Sequence, residues 1–161
     1  MVGSRGVGKT TVILQYLKSL KIDTLYLTGD DIEFTNSKLY DIVDEFYSLG
    51  GRIVAIDEVH KYKNWAQEIK NIYDSFPDMS IRISGSSMVN ILYEKYDLSR
   101  RVVIHKMKTL SFKEYFEIQK GIKLPSFSLQ DILTNSSKIS KELVFEYEDL
   151  YGCFKKYLQY L

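Results

Sequence analysis

The chain begins Met1-Val2-Gly3-Ser4-Arg5-Gly6-Val7-Gly8-Lys9-Thr10-Thr11 (MVGSRGVGKTT). Residues 3–10 read G-x-x-x-x-G-K-T, the pattern of a loop that cradles phosphate. Glycines at 3, 6 and 8 let the backbone curl so that successive N–H groups face one anion. A helix starting near Lys9 adds the positive end of its dipole at the same place. Lys9 can reach the β- and γ-phosphates of a nucleoside triphosphate, and the Thr10 hydroxyl can ligate Mg2+. A loop of this kind hangs between the end of a buried strand and the start of a helix. Here only Met1 and Val2 stand where that strand belongs.

Downstream, the apolar periodicity alternates. Val12, Ile13, Tyr16, Leu17 and Leu20 recur at helical spacing and predict a helix over 9–20. DTLYLT (23–28) reads as a short strand. Leu39, Ile42, Val43, Phe46 and Leu49 give the stripe of a helix over 37–49, with Gly50 at its C-terminal end. RIVAI (52–56) is uninterrupted and apolar, as a strand buried on both faces requires. Asn64 is placed to cap a third helix carrying Trp65, Ile69, Ile72 and Phe76. SIRIS (80–84) and RVVIH (101–105) read as further strands, with a short helix over 88–96 between them. Strands alternating with helices predict an α/β fold: a parallel sheet with helices on both faces. After residue 110 the pattern is helical only. Ser111 and Glu114 form an S-x-x-E capping box, Gly121 to Ser128 is a loop, and one long helix is expected from about Ser140 to Leu161. The expected division is a nucleotide-binding core over 1–110 and a helical extension over 111–161.

The second chemical signal is Asp57-Glu58, directly after RIVAI. A phosphate loop needs a carboxylate for the metal at the tip of a neighbouring buried strand. Asp57 is placed to hold Mg2+ through water, and Glu58 to polarise the attacking water as general base. The strand SIRIS ends in Ser84-Gly85-Ser86-Ser87, where a hydroxyl can position that water or sense the γ-phosphate. Arg100 and Arg101 precede RVVIH, and either can bring positive charge to the developing charge of the transferred phosphoryl group.

Composition narrows the classes. Of 161 residues, 45% are apolar and 27% charged, ordinary for a globular chain. A net charge of +1 gives no support to nucleic-acid binding. Cys153 is the single cysteine, so no internal disulfide forms, and a reducing, cytoplasmic setting is expected. No apolar run approaches a membrane span, so no membrane partner is expected. No N-K-x-D guanine reader occurs, and a water-polarising glutamate is not what a kinase needs.

GSRGVGKTT, LTGDD, IVAIDEVHKYKNW, IRISGSS, LSRR and LSFKEYF follow one another over residues 1 to about 118. In this order they resemble a group of archaeal and bacterial AAA+-like ATPases. The resemblance implies ATP and Mg2+ as ligands and an additional-strand P-loop sheet. The nucleotide would lie on Gly3, Ser4, Arg5, Gly6, Val7, Gly8, Lys9, Thr10 and Thr11, with the metal on Thr10 and Asp57. It carries Glu58 to the water, Ser84 or Ser86 to the sensor position, and Arg101 rather than Arg100 to the catalytic arginine. His60 stands where the group has glutamine, and a polar contact is expected of it. ATP hydrolysis would drive a conformational change on a protein partner or a second copy; the alternative is a nucleotide-dependent switch with little turnover. Because the first strand is nearly absent and the last helix has no cap, the sequence is expected to be a fragment. Weak nucleotide affinity and marginal stability are expected with it, since the first strand would lie centrally beside the Asp57 strand.

Overall fold

A computed structural model describes residues 1–30, 37–86, 98 and 100–159. The expected helix over 88–96, with Asp31 and Ser87, lies outside the described residues. The chain divides into two compact units, Met1–Lys108 and Thr109–Leu161.

The first unit is built on three parallel strands, β1 (Thr24–Thr28), β2 (Ile53–Asp57) and β3 (Ser80–Ile83), in the order β1-β2-β3. Thr28 pairs with Asp57 in one ladder and Ile56 with Ile83 in the other. All five residues of β2 are buried, as its unbroken apolar run requires. Strand side chains alternate between faces, and β2 divides accordingly. Val54 and Ile56 pack with Leu39 and Val43 of α2 (Leu39–Ser48) and with Trp65, Ile69 and Ile72 of α3 (Trp65–Ser75). Ile53 and Ala55 pack on the other face with Ile13 and Leu17 of α1 (Lys9–Ser19). Asp57 is in phase with Ile53 and Ala55, so its carboxylate emerges on the α1 face. The sequence places the phosphate loop at the start of that same helix.

Several details differ from the sequence expectation. Asn64 precedes α3 in a left-handed conformation (φ 63°), and its side chain caps nothing. Leu49, at the end of the expected α2 stripe, is 81% exposed. RVVIH is not a strand. The pairing beside it is an isolated bridge between Lys106 and Val2, and a ladder needs a run of partners rather than one residue.

Met1 and Val2 are nevertheless seated as sheet residues. Val2 N–H donates to His105 O (2.9 Å), and Met107 N–H donates to Val2 O (2.7 Å). On the opposite side Gly85 N–H donates to Met1 O (3.3 Å), and the Met1 amine donates to Ile83 O. The residues ahead of the phosphate loop therefore lie between β3 and residues 105–107. This corrects the expected order: the strand bearing Asp57 is one place further away.

Ser80 and Ser84 donate their N–H groups to Arg52 and Ile56, so the even residues of β3 face β2. Ile81 and Ile83 face away, and their N–H groups meet no backbone acceptor among the described residues. A cavity of about 700 Å³ opens there, lined by Ile13, Ile69, Met79, Ile81, Val102 and other side chains of this unit. Gly3 to Thr10 do not line it, so this space is distinct from the phosphate loop.

The second unit is helical: α4 (Phe112–Lys120), α5 (Leu129–Glu146) and α6 (Leu150–Leu158). Ser111 and Glu114 form the expected capping box on α4, and Ser128 and Asp131 form another on α5. The single long helix expected from Ser140 is two helices instead. Tyr147 is extended and Asp149 left-handed (φ 62°) between them. An aromatic cluster spans the break: Tyr147 meets Phe116 edge-on (6.1 Å), while Phe154 and Tyr157 of α6 meet Phe112 (5.0 and 5.7 Å).

Candidate functional site

The loop before α1 takes the shape its glycines allow. Gly6 (φ 81°) and Gly8 (φ 93°) are left-handed, and Gly8 is the residue from which α1 departs. Ser4, Arg5, Gly6, Thr10 and Thr11 are exposed, Val7 and Gly8 partly so, and Gly3 is buried. Lys9 is 5% exposed. Its Nζ donates to Gly3 O (3.0 Å) and Ser4 O (2.8 Å). Among the described residues no carboxylate lies within ion-pairing distance of it. A buried cation paired only with neutral carbonyls is costly. An anion arriving at the loop would supply the missing countercharge.

Asp57, 3% exposed at the tip of β2, is saturated with donors. Its Oδ2 accepts from Thr10 Oγ1 and from Tyr26 Oη (3.2 Å). Its Oδ1 accepts from Ser84 Oγ and from the Glu58 N–H (2.9 Å). Burial pushes the Asp57 carboxyl upward, but the hydrogen bonds from Ser84, Thr10, the Glu58 amide and Tyr26 outweigh it, so it stays below the ordinary aspartate value. The Tyr26 hydroxyl moves the other way. Burial, then the charge of Asp57 and its hydrogen bond, raise it to about 12, which keeps it a donor at neutral pH. An anionic carboxylate touching the hydroxyl of the loop threonine is the donor set a hard divalent cation takes. The residues therefore fit Mg2+, with Thr10 and Asp57 as the groups that would hold it.

Glu58 follows in a left-handed conformation (φ 48°, ψ 37°) and leads into a 3-10 turn over Val59–Lys61. A Cβ on Gly29, at the end of β1, would come 2.3 Å from Glu58 O, so only glycine fits there. The Glu58 carboxylate accepts from Ser86 Oγ (3.0 Å), and His60 Nε2 lies 3.7 Å away. The two serines are thus divided: Ser84, fully buried, holds Asp57, while Ser86 holds Glu58.

Thr10, Asp57, Glu58, Ser84 and Ser86 form one connected network next to the loop. Arg101 is not part of it. Its guanidinium makes two hydrogen bonds to Asp74 (3.0 and 3.1 Å), in the last turn of α3. That turn leads to Ser80, whose partner Ile53 is the first residue of β2, at the far end from Asp57. Arg100 is exposed and left-handed (φ 74°). Tyr26 escapes a reading of the sequence alone. Its registry opposite Ala55 puts it on the face of Asp57, and registry is not written in DTLYLT.

The model of a family described as AAA domain matches residues 1–116. Uncharacterized protein MJ1637 of Methanocaldococcus jannaschii is 31% identical over 148 residues. The alignment covers 84% of this chain and 31% of the relative, so the chain spans about a third of that protein's length. The match covers the loop, its buried lysine and the buried aspartate bonded to the loop threonine, and the chain belongs to the AAA domain family, its first unit being an AAA-like P-loop ATPase domain.

Proposed function

We propose that the chain binds ATP with Mg2+ and hydrolyses it, and that turnover drives a conformational change on a protein partner or a second copy. The observation that carries this reading is the meeting of a buried, unpaired Lys9 with a buried, anionic Asp57 at Thr10. Gly3 to Thr11 would surround the phosphates with N–H groups, and Lys9 would exchange the Gly3 and Ser4 carbonyls for phosphate oxygens. Thr10 and Asp57 would hold Mg2+, which would supply positive charge to the phosphates. Glu58, next to the metal carboxylate, accepts a proton from water as general base. The balanced charge favours no nucleic-acid role, and a cytoplasmic location belongs to the same proposal; among the described residues no helix is long and apolar enough to cross a membrane.

A second reading, a nucleotide-dependent switch with little turnover, is favoured by one observation: Glu58 is already engaged by Ser86. Phosphate release separates the two readings. Under the hydrolysis reading Glu58→Gln lowers kcat by about 100-fold or more, in the range a positioned general base contributes, while binding of a fluorescent ATP analogue is retained. Equal rates for the variant and the parent chain would rule out Glu58 as the base.

Lys9→Ala is expected to abolish that binding, since the loop carbonyls cannot replace the lost cation; retained affinity would contradict the phosphate assignment. Chelating Mg2+ with EDTA should stop phosphate release, and excess Mg2+ should restore it. Turnover persisting in EDTA would remove Thr10 and Asp57 from the metal role.

A further inference from the structure

The Glu58 carboxylate has a second neighbour that hydrolysis by a lone base does not use. Ser86 Oγ donates to Glu58 Oε2 at 3.0 Å. His60 Nε2 lies 3.7 Å from that same oxygen and 3.5 Å from Ser86 Oγ. The imidazole is held within the fold, with its side chain 13% exposed, and its Nδ1 is buried with no hydrogen-bond partner among the described residues. That unpartnered nitrogen decides the tautomer. A proton on Nδ1 would be a buried donor with no acceptor, which folded proteins avoid. With the proton on Nε2, the ring presents a donor to Glu58 and Ser86, and Nδ1 is left as a weak acceptor.

The backbone of Glu58 is meanwhile fixed. Its N–H donates to Asp57 Oδ1 (2.9 Å), its carbonyl accepts from the Lys61 N–H (2.9 Å), and Gly29 packs against it. What can still turn is the carboxylate, and two side chains govern it. Ser86 has one hydroxyl hydrogen, which it can give to Glu58 or to a phosphate oxygen but not to both. His60 Nε2–H is the donor near enough to take its place.

We propose that His60 and Ser86 are paired positioning residues for Glu58: Ser86 releases the carboxylate when it turns toward the triphosphate, and His60 then keeps it aimed. The inference rests on the reading of Glu58 as base. His60 touches no reacting atom in this account; it acts through Glu58.

The test uses the full chain and ATP with Mg2+. His60→Ala is expected to lower kcat about tenfold with KM changed less than about twofold, the pattern of a group that matters after binding. His60→Gln keeps a side-chain N–H of similar reach and should recover most of the loss. His60→Ala with Ser86→Ala together should fall below the product of the single effects and approach Glu58→Gln, because each donor substitutes for the other.

A readout independent of turnover is available, since the chain has two histidines, His60 and His105. In 15N spectra of the imidazoles, the signal lost in His60→Gln should show the Nε2–H tautomer. It should shift in Glu58→Gln and in Ser86→Ala, while the other signal stays. An Nδ1–H tautomer, an unmoved His60 signal, or His60→Gln no better than His60→Ala would overturn the proposal. Glu58→Gln turning over like the parent chain would instead overturn the base reading, and the ring spectrum would still decide whether the contact exists.

Discussion

The site depends on one constraint: two opposite charges are buried a few side chains apart and are not paired with each other. Lys9 is satisfied by loop carbonyls and Asp57 by hydroxyls and an amide. Direct pairing would cancel the lysine charge that the loop offers a phosphate. Keeping the charges apart costs folding free energy, and the costs are met by short-range polar contacts from five elements: the loop, α1, β1, the turn after β2 and the turn after β3. Residues 57, 84, 10 and 26 can make those contacts because β2 is fully buried and its alternation is fixed, so Asp57 has one face to emerge on.

The sheet supporting this arrangement is asymmetric. Toward β1 every β2 residue has a partner. Toward the phosphate loop the chain is joined at Met1 and Val2, and Val2 is 3% exposed. Met1 and Val2 lie between β3 and residues 105–107, and the apolar space beneath them is lined by Ile81 and Ile83, whose amides meet no backbone acceptor among the described residues. The loop is correctly placed all the same, because its position is also fixed from α1, whose Ile13 and Leu17 pack on Ile53 and Ala55.

How much could be read in advance follows from range. The phosphate loop, β2 with its terminal carboxylates, and the α4 capping box are local patterns, and each appears where its residues indicate. The parallel α/β class followed from alternation and holds. What depended on distant partners was less legible. RVVIH has the composition of a strand, but its neighbour there is Val2 alone. The helix from Ser140 has continuous periodicity, but the backbone leaves it at Tyr147–Asp149, where Asp149 is left-handed. Ser84 and Ser86 were indistinguishable as letters; their separate attachment to Asp57 and Glu58 follows from the ladder between β2 and β3. Tyr26 reaches Asp57 only through strand registry.

The contact between Gly29 and Glu58 carries mechanical meaning. Gly29 N–H donates to Asp57 O (2.7 Å), and no methyl group fits between Gly29 and the Glu58 carbonyl. The tip of β1 and the acidic turn are thus wedged together with no slack. Among the described residues β1 is an edge strand, and a pull on its end would travel directly into the carboxylate geometry. The rim of the sheet is in this sense a handle on the acidic turn.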